Sequence, residues 1–120
     1  MIDRLCAYHQ AMLDAVKAGD TAGMDSANWQ FHREINRVAN APKLLVMLRG
    51  TLRLIPQHFY ALVKGWAATS KTGHRAILAA FEAHDPEAAR TAAIHHVNEA
   101  GELIIAHFTD AGYWTPPNHE

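Results

Sequence analysis

The sequence predicts an all-α fold, an antiparallel helical bundle, and three observations carry that prediction. Apolar residues recur at three- and four-residue steps along most of the 120 positions, no segment alternates with period two, and the connections marked by Gly, Asp and Pro are short. The first helix, Asp3 to Ala18, places Leu5, Tyr8, Met12, Ala15 and Val16 at those steps and stops at Gly19. The second restarts with Asp20 or Thr21 as its cap, carries Met24, Phe31, Ile35 and Val38 on one face, and ends at Asn40. The third begins with Pro42 in its first turn. It is apolar over most of its surface and is expected to be the central helix, kinked or split at Pro56.

A loop, "AATSKTG", is expected to lead into a fourth helix, "HRAILAAFEAH". A fifth opens with Asp85 as cap and Pro86 at its first position and runs to Phe108. Residues 1–109 thus read as one domain and 110–120 as an irregular tail, with Tyr113 and Trp114 expected to dock on the bundle.

Charge is balanced, with 11 Lys+Arg against 12 Asp+Glu, so no basic surplus exists to neutralise phosphates and the chain is not expected to grip nucleic acid alone. The single Cys6 excludes an internal disulfide or a thiolate cluster and suits a reducing cytoplasm. No stretch approaches the ~18 apolar residues of a membrane span, and "MIDRLCAYHQ" lacks the apolar core of a signal peptide, so a cytoplasmic, membrane-free protein is expected.

Nine histidines make up the one outlying count. Asn28 and His32, in "NWQFHREI", are four apart on one face of the second helix, one turn before or beside Ile35. His74 opens the stripe His74, Ile77, Leu78, Phe81 on the fourth helix. His96 lies among Ala89, Ala93, Ala100 and Leu103 on the fifth, with room beside it.

A single inward His is more often a hydrogen-bonded core residue than a ligand. Three of them on three helices, beside an amide and without a carboxylate on the same stripes, point jointly to a shared metal site, since imidazole suits zinc, copper, iron and nickel. His9, His58, His84, His95 and His119 fall on polar faces, in loops or in the tail. His107 follows His96 by 11 residues, a rise of about 16 Å, too far to share one ion. Arg49 and Arg53, one turn apart on the third helix, read first as a solvated face; next to a metal, such a fork would bind a carboxylate bidentately.

At this point "NWQFHREINRVANAPKLLVML" followed by "GHRAILAAFEAHDPEAARTAAIHHV" resembles the FCD domain, the effector-binding C-terminal half of FadR-type GntR transcriptional regulators, over nearly the whole chain. In that family a D-x3-H motif, a His opening the next conserved-looking stretch and a third His on the following helix ligate a divalent metal. The resemblance carries these roles onto Asn28, His32, His74 and His96, the last two 22 residues apart as the family pattern has them. Asn28 departs from the family's aspartate and replaces a charged ligand with a neutral amide oxygen. Family members also carry a winged helix-turn-helix before this domain, whereas this chain starts at Met1 within the effector region, as a fragment or as a standalone sensor.

The resemblance therefore implies a ligand-sensing regulatory domain and not an enzyme. A divalent transition metal, zinc or nickel, would coordinate a small carboxylate metabolite, with Arg49 and Arg53 as secondary effector contacts. The chain would pair as a homodimer and reach DNA only through a winged helix-turn-helix. The rival readings are a small metal-dependent hydrolase or oxygen-binding bundle, and a structural helical dimer without metal. Against the hydrolase, Glu34, Glu82 and Glu99 project away from the histidine stripes and leave no evident general base.

Overall fold

Helix ends follow the caps written in the sequence. Gly19 adopts a left-handed backbone (φ 69°) and closes the first helix, with its N–H donating to Val16 O and the Asp20 N–H to Ala15 O. Asp20 and Asp85 each accept a backbone N–H with a carboxylate oxygen, from Gly23 and Ala88, at 2.9 Å. In the computed structural model, which describes residues 1–56 and 58–114, the elements are α1 (Ile2–Ala18), α2 (Thr21–Val38), α3 (Pro42–Leu52), a 3₁₀ turn (Phe59–Leu62), α4 (Trp66–Glu82) and α5 (Pro86–Asp110). The described residues contain no strand, and the all-α bundle is what the periodicity predicts.

Two helical hairpins, α1 with α2 and α4 with α5, pack on each other, chiefly through α1 and α4. Their interface holds two apolar clusters. One gathers Met12, Met24, Ala27, Val63 and Trp66. The other gathers Leu5, Phe31, Ile77 and Leu78, with Ala92 and Ala93 against it. Between the two clusters every helix of the core contributes a polar residue. His9 lies between Leu5 and Met12 on α1, Asn28 between Met24 and Phe31 on α2, Ser70 and His74 between Trp66 and Ile77 on α4, and His96 between Ala93 and Ala100 on α5. All five are buried. The core is thus two hydrophobic blocks separated by a polar layer, and the histidines are that layer.

Two expectations about the elements are corrected. The apolar third helix is not central: α3 buries no residue, and Leu44, Val46 and Met47 are 64, 70 and 71 % exposed. Its five consecutive apolar residues, Leu44 to Leu48, have no 3.6-residue rhythm that could mark one face. Only Leu45, Leu48 and Leu52 turn inward, toward α2. The segment "AATSKTG" is not a loop but the first two turns of α4, which begins after Gly65 (φ 84°). Its small residues serve packing: Ser70 is fully enclosed, and Gly73 lies directly against His96.

Beyond Asp110, Tyr113 and Trp114 meet the Phe108 ring edge-on at 5.1 and 6.3 Å yet remain 71 and 59 % exposed, which is contact rather than docking. The rest of the expected tail, 115–120, lies outside the described residues.

Candidate metal centre

The polar layer converges on three imidazoles. His32 Nε2 stands 3.3 Å from His74 Nε2 and 3.3 Å from His96 Nε2. The ring centroids form a nearly equilateral triangle with sides of 5.1, 5.1 and 5.2 Å, and His32 and His96 lie parallel. Nitrogen donors bonded at about 2.0–2.1 Å to one tetrahedral ion are about 3.3–3.4 Å apart, so the spacing of these atoms suits a single shared cation. Mutual hydrogen bonding explains it less well. The Nε2 of a neutral imidazole is either one N–H or one lone pair, so His32 Nε2 cannot make a good hydrogen bond to His74 and to His96 at once. The three residues can therefore hold a metal ion, and among the described residues no other group of three His, Cys, Asp or Glu converges in this way.

Local packing fixes the triangle. Phe31 is fully buried and stacks on the His74 ring at 3.8 Å, nearly parallel, so the imidazole cannot tilt. On the other side, α4 presents Gly73 to His96. A Cβ there would overlap Nδ1 and stand 2.6 Å from Cγ, so α5 can approach this closely only because position 73 has no side chain. Burial keeps the cluster neutral. Desolvation, then the neighbouring His96, lowers His32 to about 4. Desolvation, then His32 and His96, lowers His74 to about 2. Burial also lowers His96, against the opposing pull of Glu99. Neutral imidazole is the form that binds metal.

His32 is the member that reaches outward. It lines a cleft of about 300 Å³ between α2 and α3, together with Trp29, Arg33, Arg37 and Arg49 and the inward leucines of α3. Arg49 thus lines the same cleft as His32. Arg53 is not in this cleft and lines a shallower one with Trp29, Arg49 and Leu52. Asn28 is buried with its Oδ1 unpartnered, and it lines the adjoining cavity rather than the cleft of His32.

Two carboxylates on α2 and α5 are engaged elsewhere. Glu34 accepts from Arg4 (2.6 and 2.9 Å) and Arg37 (3.0 and 3.2 Å), and Glu99 meets His95 at 3.1 Å.

The sequence reading missed two residues. His9, assigned there to a polar face, is buried with its ring 5.6 Å from that of His74 and its Nδ1 unpartnered; burial lowers its pKa, with Arg75 and Lys71 adding to the shift. The signal was present, because His9 falls four residues after Leu5 and three before Met12, on the buried stripe itself. Asp25, one turn before Asn28, also points inward, and both of its carboxylate oxygens are enclosed without a hydrogen-bond partner.

Neither the curated proteins nor the solved structures contain a match to the chain. One family model does match. The FCD domain aligns with residues 1–99, a span that includes Asn28 and all three clustered histidines. With most of its length covered by that model, the chain belongs to the FCD-domain family.

Proposed function

We propose that this domain senses a small carboxylate metabolite for a GntR-type transcriptional regulator, and that His32, His74 and His96 hold the divalent transition metal, zinc or nickel, to which the carboxylate binds. The observation that carries this reading is the cluster of three imidazoles, with His32 Nε2 3.3 Å from the Nε2 atoms of both His74 and His96, open through His32 into a cleft that also presents Arg33 and Arg49. When bound, the ion supplies a Lewis-acidic positive charge that three neutral ligands do not cancel.

The chain's own residues do the rest. Phe31 and Gly73 hold the imidazoles in register, Trp29 and the leucines of α3 exclude water, and Arg49 offers a planar pair of donors to a carboxylate. The orphaned Asn28 oxygen can serve either the metal or a ligand in the cavity that its side chain lines.

Ligand binding in the cleft bears on α3, which is attached to the bundle only along Leu45, Leu48 and Leu52. In this reading α3 is the element whose position reports occupancy, and its exposed Leu44, Val46 and Met47 form part of the surface through which two copies pair. Sedimentation equilibrium tests the pairing: a dimer that Val46→Glu dissociates is expected, and an unaltered monomer rejects it. Glu34 and Glu99 are occupied in ion pairs, and the buried, unpartnered carboxylate of Asp25 lines the adjoining cavity rather than the cleft of His32, whose lining contains no Asp or Glu, which favours binding over hydrolysis.

Metal analysis of protein purified without an affinity tag is the direct test. About one zinc or nickel ion per chain is expected, lost in His74→Ala, with citrate binding by calorimetry weakened in Arg49→Ala and in metal-stripped protein. Full metal occupancy in His32→Ala, His74→Ala and His96→Ala alike would reject the site.

A further inference from the structure

Beside the histidine cleft lies a larger cavity of about 470 Å³, between α2 and the chain that follows α3. Its polar lining includes Ser26, His58 and Tyr60, yet three acceptors in it are left without a partner. Asp25 contributes two carboxylate oxygens and Asn28 an amide oxygen, all three buried and none with a hydrogen-bond partner. The residues are one helical turn apart on α2, so they line the cavity from the same side, and Asn28 is only 7 % exposed. His58 Nδ1 is 3.5 Å from Asp25 Oδ2, at most a weak contact with one of the two oxygens, and its own side chain is 57 % exposed.

Orphaned acceptors of this kind cost about 1–3 kcal/mol each, and more where one is charged, so three together call for donors from outside the chain. The carboxyl of Asp25 bears the mark of that deficit, since burial raises it despite the opposing effect of His58.

Chemistry narrows the class of donor. Three unpartnered acceptors match the three N–H groups of a primary ammonium. The remaining wall includes Leu52 and Ile55 with the indole of Trp29, which accommodates an alkyl chain and offers a π face to a cation. A bare metal ion has no use for a cavity of this volume with apolar walls. We propose that this cavity binds an aliphatic primary amine, its ammonium held by Asp25 and Asn28.

The site stands on those two residues and does not require the metal. Trp29 and Leu52 wall both this cavity and the cleft of His32 and Arg49, so a molecule with an ammonium at one end and a carboxylate at the other can occupy both. That extension rests on the carboxylate reading proposed above.

Calorimetry on the full chain at pH 7.5 separates the parts, with n-butylamine, tetramethylammonium, butyrate and 6-aminohexanoate as probes and zinc titrated in parallel. Butylammonium is expected to bind, and tetramethylammonium, a cation without N–H donors, to bind about tenfold more weakly or less. Asp25→Asn and Asn28→Ala should each weaken butylammonium by about tenfold or more, the fold-change of losing a hydrogen bond to a charged group, and zinc affinity should stay within about twofold in Asp25→Asn.

Failure of butylammonium to bind, or binding indifferent to both variants, overturns the proposal. So does a second zinc equivalent lost in Asp25→Asn, which would assign the cavity to a metal ion, or loss of zinc rather than amine in Asn28→Ala. Should Asp25→Asn not fold, Asn28→Ala decides alone. Failure of butyrate with retention of butylammonium strikes the carboxylate cleft and leaves the ammonium site standing.

Discussion

Gly73 is where a single methyl group tests the whole construction of the metal centre. A Cβ at this position would overlap His96 Nδ1 and lie 2.6 Å from Cγ and 3.0 Å from Cβ of the same residue, against about 3.5–4.0 Å for an unstrained carbon pair. The collision is therefore with the root of the side chain as well as its ring, and rotating the imidazole does not relieve it. Either α4 and α5 separate by about 1 Å or His96 leaves its rotamer.

Both responses move His96 Nε2 from its 3.3 Å separation to His32. Metal-ligand geometry tolerates only about 0.2 Å, so affinity should fall by about 10–100-fold in Gly73→Ala, the range seen when the support of a ligand is disturbed. Stability without metal should change little. Replacing Gly by Ala in a helix interior gains about 1 kcal/mol, against about 1–3 kcal/mol for overpacking. Competitive zinc titration with a chelating dye and thermal melts of metal-stripped protein measure the two effects separately. Zinc affinity within twofold of the parent, together with a raised melting temperature, would show that His96 is not held by this contact and refute the argument.

Three further outcomes are expected. Phe31→Ala removes a fully buried ring stacked on His74 and should cost about 3–5 kcal/mol in urea unfolding, while Phe31→Leu should lose less stability but still weaken zinc because the stack is gone. Hydrogen bonds from Arg37, then Arg4, pull Glu34 down to about 2 from an ordinary 4.5, so its contribution is complete above pH 4.5 and is lost as pH falls toward 2. Glu34→Gln should accordingly be less stable than the parent near neutral pH and converge with it near pH 2, and parallel melting curves across that window would contradict the ion-pair account. The chain, with net charge −1, should not retard duplex DNA in a low-salt gel shift; sequence-selective retardation would place a DNA-reading surface on the bundle itself.

The fold was legible wherever one helix face was both apolar and periodic. α1, α2 and α5 follow their caps and stripes to within a residue or two, because Gly19, Asp20, Asp85 and Pro86 act locally and need no tertiary partner. The inward positions of His32, His74 and His96 were legible for the same reason, since a stripe assigns depth whatever the chemistry of the residue on it.

What failed depended on a neighbour. Ser70 and Gly73 look like loop residues in isolation. They are helical because α5 comes close enough to demand small side chains, and that approach is invisible to a one-dimensional reading. The apolar run of α3 looked central because composition was read without rhythm, and only the leucines facing α2 have anything to cover.

His9 and Asp25 were lost to a different assumption, that charged or titratable residues mark a solvent face. In this bundle the assumption inverts, because each core helix interrupts its own apolar stripe with at least one polar residue at the same level: His9 after Leu5, Asn28 after Met24, His74 before Ile77, His96 after Ala93. Any one of these is an ordinary defect in a hydrophobic face. Four at one level, three of them on helices that bring imidazole Nε2 atoms together, make a donor cluster that exists only in the folded chain. Binding confined to the folded state is the reason to expect a ligand-dependent gain in stability. Zinc should raise the melting temperature of the parent chain, and it should do so far less in any variant that removes an imidazole from the triangle.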